Sequence, residues 1–266
     1  MRSLLNTKPQ PLSLFFAALG GLVLLFIVAP LMNMFVNCSM PELAETIADN
    51  EVRSSIWLTL WTSMGATIFF SVAAVPFAYL LARKNFPLKR LVTSIVDLPM
   101  VIPHSAAGIA LLAVLSRTAP LGKAAEKMGF SFVNSTAGIM AAMAFVSIPY
   151  LINSARDGFA AVPVRLEKAA LNLGASPSRV FVSVSVPLAW RSILSGLILM
   201  WARGMSEFGA VLIIAYHPMV TPVLIYDRLD LSLKYARPVA VLFISVCLIF
   251  FVTLRFLAKQ KNDAQR

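Results

Sequence analysis

An all-α membrane protein with six transmembrane helices, and a short cytoplasmic helix between spans four and five, is the fold class this sequence predicts. Three observations predict it. Of 266 residues, 59% are hydrophobic and only 13% charged, whereas soluble domains run near 45–50% and about 25%. That much apolar surface exceeds what one globular core hides. The charges also leave uncharged runs at 9–41, 54–82, 98–116, 128–155 and 238–254, and a sixth apolar region at 192–226 is broken only by Arg203 and Glu207. Finally, the basic residues alternate in density from one side of these runs to the other.

A bilayer-crossing helix needs roughly 20 mostly apolar residues, which places spans at 12–36, 54–82, 92–116, 134–155, 180–216 and 236–257 of a single domain, 1–266. The first resembles a signal peptide only superficially. Its apolar stretch outruns the roughly 7–15-residue core of such peptides, no small-x-small cleavage site follows, and Cys38 follows Asn37 rather than a small residue. Span one is therefore expected to be retained. Span two, 29 residues, would be about 43 Å long as a helix, so it must tilt, bend at Pro76 or protrude. In span three, Pro99 and Pro103 should interrupt the helix, which is tolerated at membrane depth only against protein or a water-filled cavity. Span five carries Arg203 and Glu207 four apart, on one helix face. Such charges are costly in a membrane and usually pair or face a bundle interior. Two readings stay open: the face lines a passage, or the pair fixes packing.

Orientation follows from the basic residues. One side holds Arg2, Lys8, Arg83, Lys84, Lys89, Arg90, Arg156, Arg165, Lys168, Arg179, Arg191, Arg255, Lys259, Lys261 and Arg266. The other holds Arg53, Arg117, Lys123, Lys127, Arg228, Lys234 and Arg237. Cytoplasmic loops accumulate Lys and Arg, so both termini are expected in the cytoplasm of a multi-pass inner-membrane protein. The same rule accounts for the net charge of +11 without a nucleic-acid partner. Trp57 and Trp61 mark the outer edge of span two, as interfacial aromatics do. Two distant cysteines, Cys38 and Cys247, argue against a disulfide framework or a thiolate metal site.

The long cytoplasmic loop, 156–191, is organised. Pro163 suits the first turn of a helix and Gly174 the position just past its end. Between them Leu166, Ala169, Ala170 and Leu173 follow i, i+3, i+4, i+7 spacing and form one small apolar face, with Glu167, Lys168 and Asn172 pointing elsewhere. Ser176 is a suitable N-cap, with Pro177 next, for a second short helix reaching towards Pro187. Alanines bury too little area for a lipid-lying helix, which usually carries Trp, Phe and Leu. A docked partner fits better.

The segment Glu167-Lys168-Ala169-Ala170-Leu171-Asn172-Leu173-Gly174, with Val184-Ser185-Val186-Pro187 at the right distance, resembles the coupling-loop motif of ATP-binding-cassette importer permeases. That pattern is Glu-Ala-Ala, three residues, Gly, nine residues, then Ile-x-Leu-Pro. Here Lys168 stands at the motif's Glu, and Val184 and Val186 replace Ile and Leu. The segment Trp201-Ala202-Arg203-Gly204-Met205-Ser206-Glu207-Phe208-Gly209-Ala210 is similar to a fifth-span signature of molybdate, tungstate and sulfate permeases. Asp97-Leu98-Pro99-Met100-Val101-Ile102-Pro103-His104, and His217-Pro218-Met219 with Leu224-Ile225-Tyr226-Asp227-Arg228, look closer to the molybdate/tungstate branch.

The resemblance implies a homodimeric permease, two copies of a partner ATPase and an extracytoplasmic oxyanion-binding protein. It implies ATPase coupling through Leu166, Glu167, Lys168, Ala169, Ala170, Leu173, Gly174 and Ser176. Residues expected along the path are His104, Arg203, Ser206, Glu207 and Gly209, although a lone His such as His104 more often packs than binds. Sulfate is the runner-up anion, and an ion-coupled secondary transporter is the alternative class, disfavoured by the absence of paired, broken repeats.

Enzymatic readings fail on chemistry. No phosphate-loop motif exists, Gly122-Lys123 being followed by Ala124, so ATP hydrolysis is expected in the partner. His104 and His217 are too few and too far apart for a zinc site, and Gly204-x-Ser206 lacks the second glycine of a nucleophile elbow. No cofactor or metal is expected.

Overall fold

A bilayer core offers no water to backbone N–H and C=O groups, and a helix satisfies them within its own segment. The apolar runs accordingly form helices in the computed structural model, which describes residues 11–263, with side chains described over 12–253. Arg2, Lys8 and Arg266 lie outside the described residues, as do the side chains of Arg255, Lys259 and Lys261. Among the described residues there is no strand. Five helical stretches are long and apolar enough to cross a membrane: Leu12–Val36, Asn50–Arg83, Thr136–Ala161, Pro177–Met205 and Leu233–Thr253. The pair Lys89–Met100 and His104–Leu115, bent by 110°, passes the same test together, as a broken span or a re-entrant loop.

In chain order, α1 (Pro11–Val36) is followed by the short helix α2 (Met40–Ala48) and by α3 (Asn50–Arg83), which passes through Pro76 unbroken. Helix α4 (Lys89–Asp97), a 3₁₀ turn (Leu98–Met100) and α5 (His104–Leu115) make the bent pair. Next come α6 (Pro120–Lys127), α7 (Thr136–Ala161) and the loop helix α8 (Val164–Asn172). One turn of α9 (Pro177–Val180) then runs through a π-helical stretch (Phe181–Ser185) into α10 (Val186–Met205). Helices α11 (Gly209–Ile214), α12 (Thr221–Leu231) and α13 (Leu233–Asp263) complete the chain.

Two segments depart from the sequence-based expectation. The second loop helix does not stop at Pro187; it is the start of span five. Pro187 has no N–H and its ring crowds the carbonyl one turn back, and the chain absorbs this with the wider π-turn rather than a break. Conversely, span five does not run on to 216. Helix α10 ends at Met205, and α11 restarts at Gly209. The carboxylate of Glu207 replaces the lost ladder there, Oε1 accepting from Ala210 N at 3.0 Å.

Helices α3, α7 and α10 carry the core, around Met143, Leu151, Phe159 and Met200, all fully buried. In a membrane such packing relies on close contact rather than on hydrophobic expulsion, so small residues dominate the seams. A Cβ on Gly158 would sit 2.4 Å from Ser192 Cβ, and Ser154 Oγ donates to Ser192 O at 2.7 Å. Helix α3 hides a polar stripe by bonding it to its own carbonyls: Thr59 to Ser55 O at 2.6 Å, Ser63 to Thr59 O at 2.6 Å and Thr67 to Ser63 O at 2.8 Å.

Ser39 and Glu42 form a capping box for α2. Arg228 ties α12 to the start of α3 through Asp49 (3.0 Å) and Glu51 (2.6 Å). Burial pushes the Asp49 carboxyl up, but the Glu51 N–H and Arg228 outweigh it and hold it below the usual carboxylate range. Its contribution to stability is therefore present above the ordinary Asp value and is lost as pH falls through the lowered one.

Candidate functional site

Two constellations stand out, one at the loop that joins α7 to α10 and one where α5 begins and α10 ends. In the loop, Pro163 takes the N-cap position of α8, one place before the expected first turn. Gly174 closes the helix with φ +86°, a value that favours glycine. Ala175 N bonds to Ala170 O at 3.1 Å and Gly174 N to Leu171 O at 2.9 Å, the paired bonds of a Schellman cap. Ser176 Oγ then accepts from Arg179 N at 3.3 Å, with Pro177 at the first helical position.

Helix α8 turns two different faces to its surroundings. Leu166, Lys168, Ala169 and Leu173 are exposed, and Ala170 is half-buried. Glu167, by contrast, is buried. Arg83, the last residue of α3, donates to Glu167 Oε1 from Nε at 3.0 Å and from Nη2 at 2.9 Å, and to Val162 O at 2.9 Å. Ser185, in the π-turn, donates to the same carboxylate oxygen at 2.6 Å. Beneath them, Tyr79, Phe159 and Phe181 stack with ring centres 5.0–6.0 Å apart, and the Arg83 guanidinium lies 6.0 Å from the Tyr79 ring centre. One buried ion pair thus pins α8 to α3 and to the root of span five. Glu167 acts on this inner side, while the small-residue face is left clear.

Neither Arg83 nor Ser185 carries a local signal for this role: Arg83 stands in a basic cluster with Lys84, Lys89 and Arg90 that reads as an orientation signal. The one available signal was an acidic residue, Glu167, at the edge of an otherwise small apolar face.

The second constellation assembles at the start of α5 and the end of α10. Arg203 Nη2 lies 2.7 Å from His104 Nε2 and 3.3 Å from Glu207 Oε2, and His104 Nδ1 lies 3.2 Å from that same oxygen. Arg203 Nη1 donates to Ser206 Oγ at 3.1 Å. Glu207 is 1% exposed, whereas the side chains of Arg203 and His104 are 22% and 42% exposed. Oε2 of Glu207 has both neighbours in ion-pair range yet no hydrogen bond of good geometry. Gly209 lets the two helix starts touch, because a Cβ there would lie 2.8 Å from His104 Cβ. All five residues expected along the path therefore meet at one point, including His104, which lies 99 positions from Arg203. Among the described residues no group of three His, Cys, Asp or Glu is placed to hold a metal ion.

Comparison with known proteins agrees with this architecture. Residues 74–263 match the family described as the binding-protein-dependent transport system inner membrane component. The molybdate/tungstate transport system permease protein WtpB of Thermococcus kodakarensis is 42% identical over 250 residues, 93% of this chain and 96% of that relative. Its namesake in Pyrococcus abyssi is 42% identical over 245 residues, 91% and 94% of the two chains. Among solved structures, a bacterial ABC transporter involved in the import of the acidic polysaccharide alginate shares the fold, with a TM-score of 0.73 at 14% identity over 93% of this chain and 95% of that one. The chain is thus a multi-pass ABC-transporter permease, a member of the binding-protein-dependent transport system inner membrane component family.

Proposed function

We propose that this chain is the molybdate/tungstate permease of an ATP-driven importer, and that its coupling loop seats on a separate ATPase subunit. The observation that carries the reading is the two-faced α8. Its inner edge is held by Arg83 and Ser185, while Leu166, Ala169 and Leu173 stand clear of the chain's own core. An exposed face of small residues on a rigidly capped helix is suited to a complementary groove. One such loop per chain favours a homodimer with two ATPase copies, served by an extracytoplasmic oxyanion-binding protein. The basic-residue bias favours cytoplasmic termini, and spans that use up most of the chain favour a single domain over 1–266. His104, Arg203, Ser206, Glu207 and Gly209 are placed along the anion path at the dimer centre. The molybdate/tungstate assignment draws on the relatives named above, which carry those anions in their names.

Two outcomes test this. Ala169→Trp is expected to leave the protein inserted and dimeric while ATPase co-purification and uptake both fall at least tenfold; unchanged retention of the ATPase would sink the docking face. In proteoliposomes with the binding protein present, uptake of labelled molybdate should be suppressed by equimolar tungstate and left largely intact by equimolar sulfate. Equal competition by sulfate would move the assignment to the sulfate class.

A further inference from the structure

We infer that Arg203, His104 and Ser206 form a contact station for a tetrahedral oxyanion, which buried Glu207 keeps electrically neutral so that the anion is passed on rather than held. The inference rests on the proposed path.

The location argues for an aqueous outlook. Helix α5 has 12 residues from His104 to Leu115, about 18 Å of chain, and the proposed path sets His104, at the break of the bent pair, at membrane depth. Polar groups at that depth are tolerated facing protein or a water-filled cavity, not lipid. Yet Arg203 and His104 keep 22% and 42% of their side chains exposed in the single chain. Their open side is therefore the side facing a cavity or a second copy.

The chemistry on that open side suits an oxyanion. A guanidinium offers five N–H donors, and Arg203 uses Nη1 toward Ser206 and Nη2 toward His104. It therefore retains donors for a ligand. Arg203 Nη2 lies 2.7 Å from His104 Nε2 and 3.2 Å from Nδ1, so the imidazole is held beside the guanidinium at the same opening.

Glu207 closes the charge balance from behind. It cannot swing away, because Oε1 is engaged by Ala210 N at the start of α11. Oε2 remains aimed at both partners without a hydrogen bond. Arg203 and Glu207 bring one positive and one negative charge to the cluster. A bare arginine at this depth would bind a dianion tightly and become a trap. A conduction site must bind well enough to admit its ion and weakly enough to release it. The buried carboxylate meets the second condition without occupying the surface the anion touches.

The test is direct binding of molybdate to the permease–ATPase complex in lipid nanodiscs, without binding protein, alongside uptake in proteoliposomes. Glu207→Gln keeps the carbonyl acceptor for Ala210 and removes the charge. His104→Lys reaches the same net charge from the exposed side, should Glu207→Gln fail to assemble. Both are expected to bind molybdate at least tenfold more tightly than wild type and to turn over more slowly. The double variant Arg203→Gln/Glu207→Gln should lose the gain, and Arg203→Gln alone should lose most uptake. If Arg203→Gln takes up molybdate at the wild-type rate, the path reading falls and the station with it. If Arg203→Gln is impaired but neither charge variant binds more tightly, the neutral station alone is overturned.

Discussion

Arg83→Ala is expected to separate ATP hydrolysis from transport. The substitution leaves the Glu167 carboxylate buried with only the Ser185 hydroxyl, and removes the donor to Val162 O at the turn into α8. Removing one partner of a buried ion pair costs on the order of 3–5 kcal/mol, because the remaining charge is stranded away from water. Both side chains here are about nine-tenths buried, so little solvent screening softens the loss. Helix α8 should keep its Schellman cap, which is local to Ala170, Leu171, Gly174 and Ala175. What fails is its attachment to α3 and to the π-turn at the root of span five. The ATPase would still bind the exposed face, yet its closure would move α8 without moving the spans. The expected result is normal co-purification of the ATPase, at least a tenfold fall in uptake, and more ATP hydrolysed per anion transported. Removing both charges together, as Arg83→Met/Glu167→Leu, should be milder for thermal stability than either single loss. Wild-type ATP-to-anion stoichiometry in Arg83→Ala would show that the pair is packing and nothing more.

The parts of this molecule that were legible in the sequence are those set by local chemistry. Uncharged runs announce helices because a bilayer leaves the backbone no other partner. Pro163, Gly174 and Ser176 announce the loop because each fits one end of a helix for its own backbone reason. The illegible parts join distant segments. Nothing in the spacing of Arg83 and Glu167, or of His104 and Arg203, says that they meet, since these contacts depend on how whole helices pack. The π-turn at Phe181–Ser185 was hidden for a different reason. Pro187 reads as a helix stop, and only the continuous axis of Pro177–Met205 shows that the chain widened one turn instead. The break after Met205 depends on the fold too, since the carboxylate of Glu207 becomes the new partner for Ala210 N only once the chain turns there.

Gly209→Val should abolish uptake while leaving the chain inserted, and the reason is steric. Gly209 has no positive φ to protect, so backbone strain does not enter. A Cβ at this position would come within 2.8 Å of His104 Cβ and 3.2 Å of His104 C and Ser105 N. Those atoms belong to the first turn of α5, not to the end of a flexible side chain, so the helix itself must move. The same seam is tight one turn along, where a Cβ on Gly108 would lie 3.0 Å from Ala210 Cα. Inserting even a methyl group into such packing costs about 1–3 kcal/mol, and valine adds two further carbons. The movement required draws His104 away from Arg203 and Glu207, whose contacts of 2.7–3.3 Å tolerate little displacement. Gly209→Ala is expected to lower uptake about tenfold with a measurable loss of thermal stability, and Gly209→Val to eliminate uptake. Gly20→Ala is the matched control: nothing lies within 4 Å of its added carbon, and alanine is the better helix former, so uptake and stability should hold or rise. Full transport by Gly209→Val would mean that the contact between α5 and α11 loosens during the cycle enough to admit a branched side chain. The cluster would then be a feature of one state, not a fixed station.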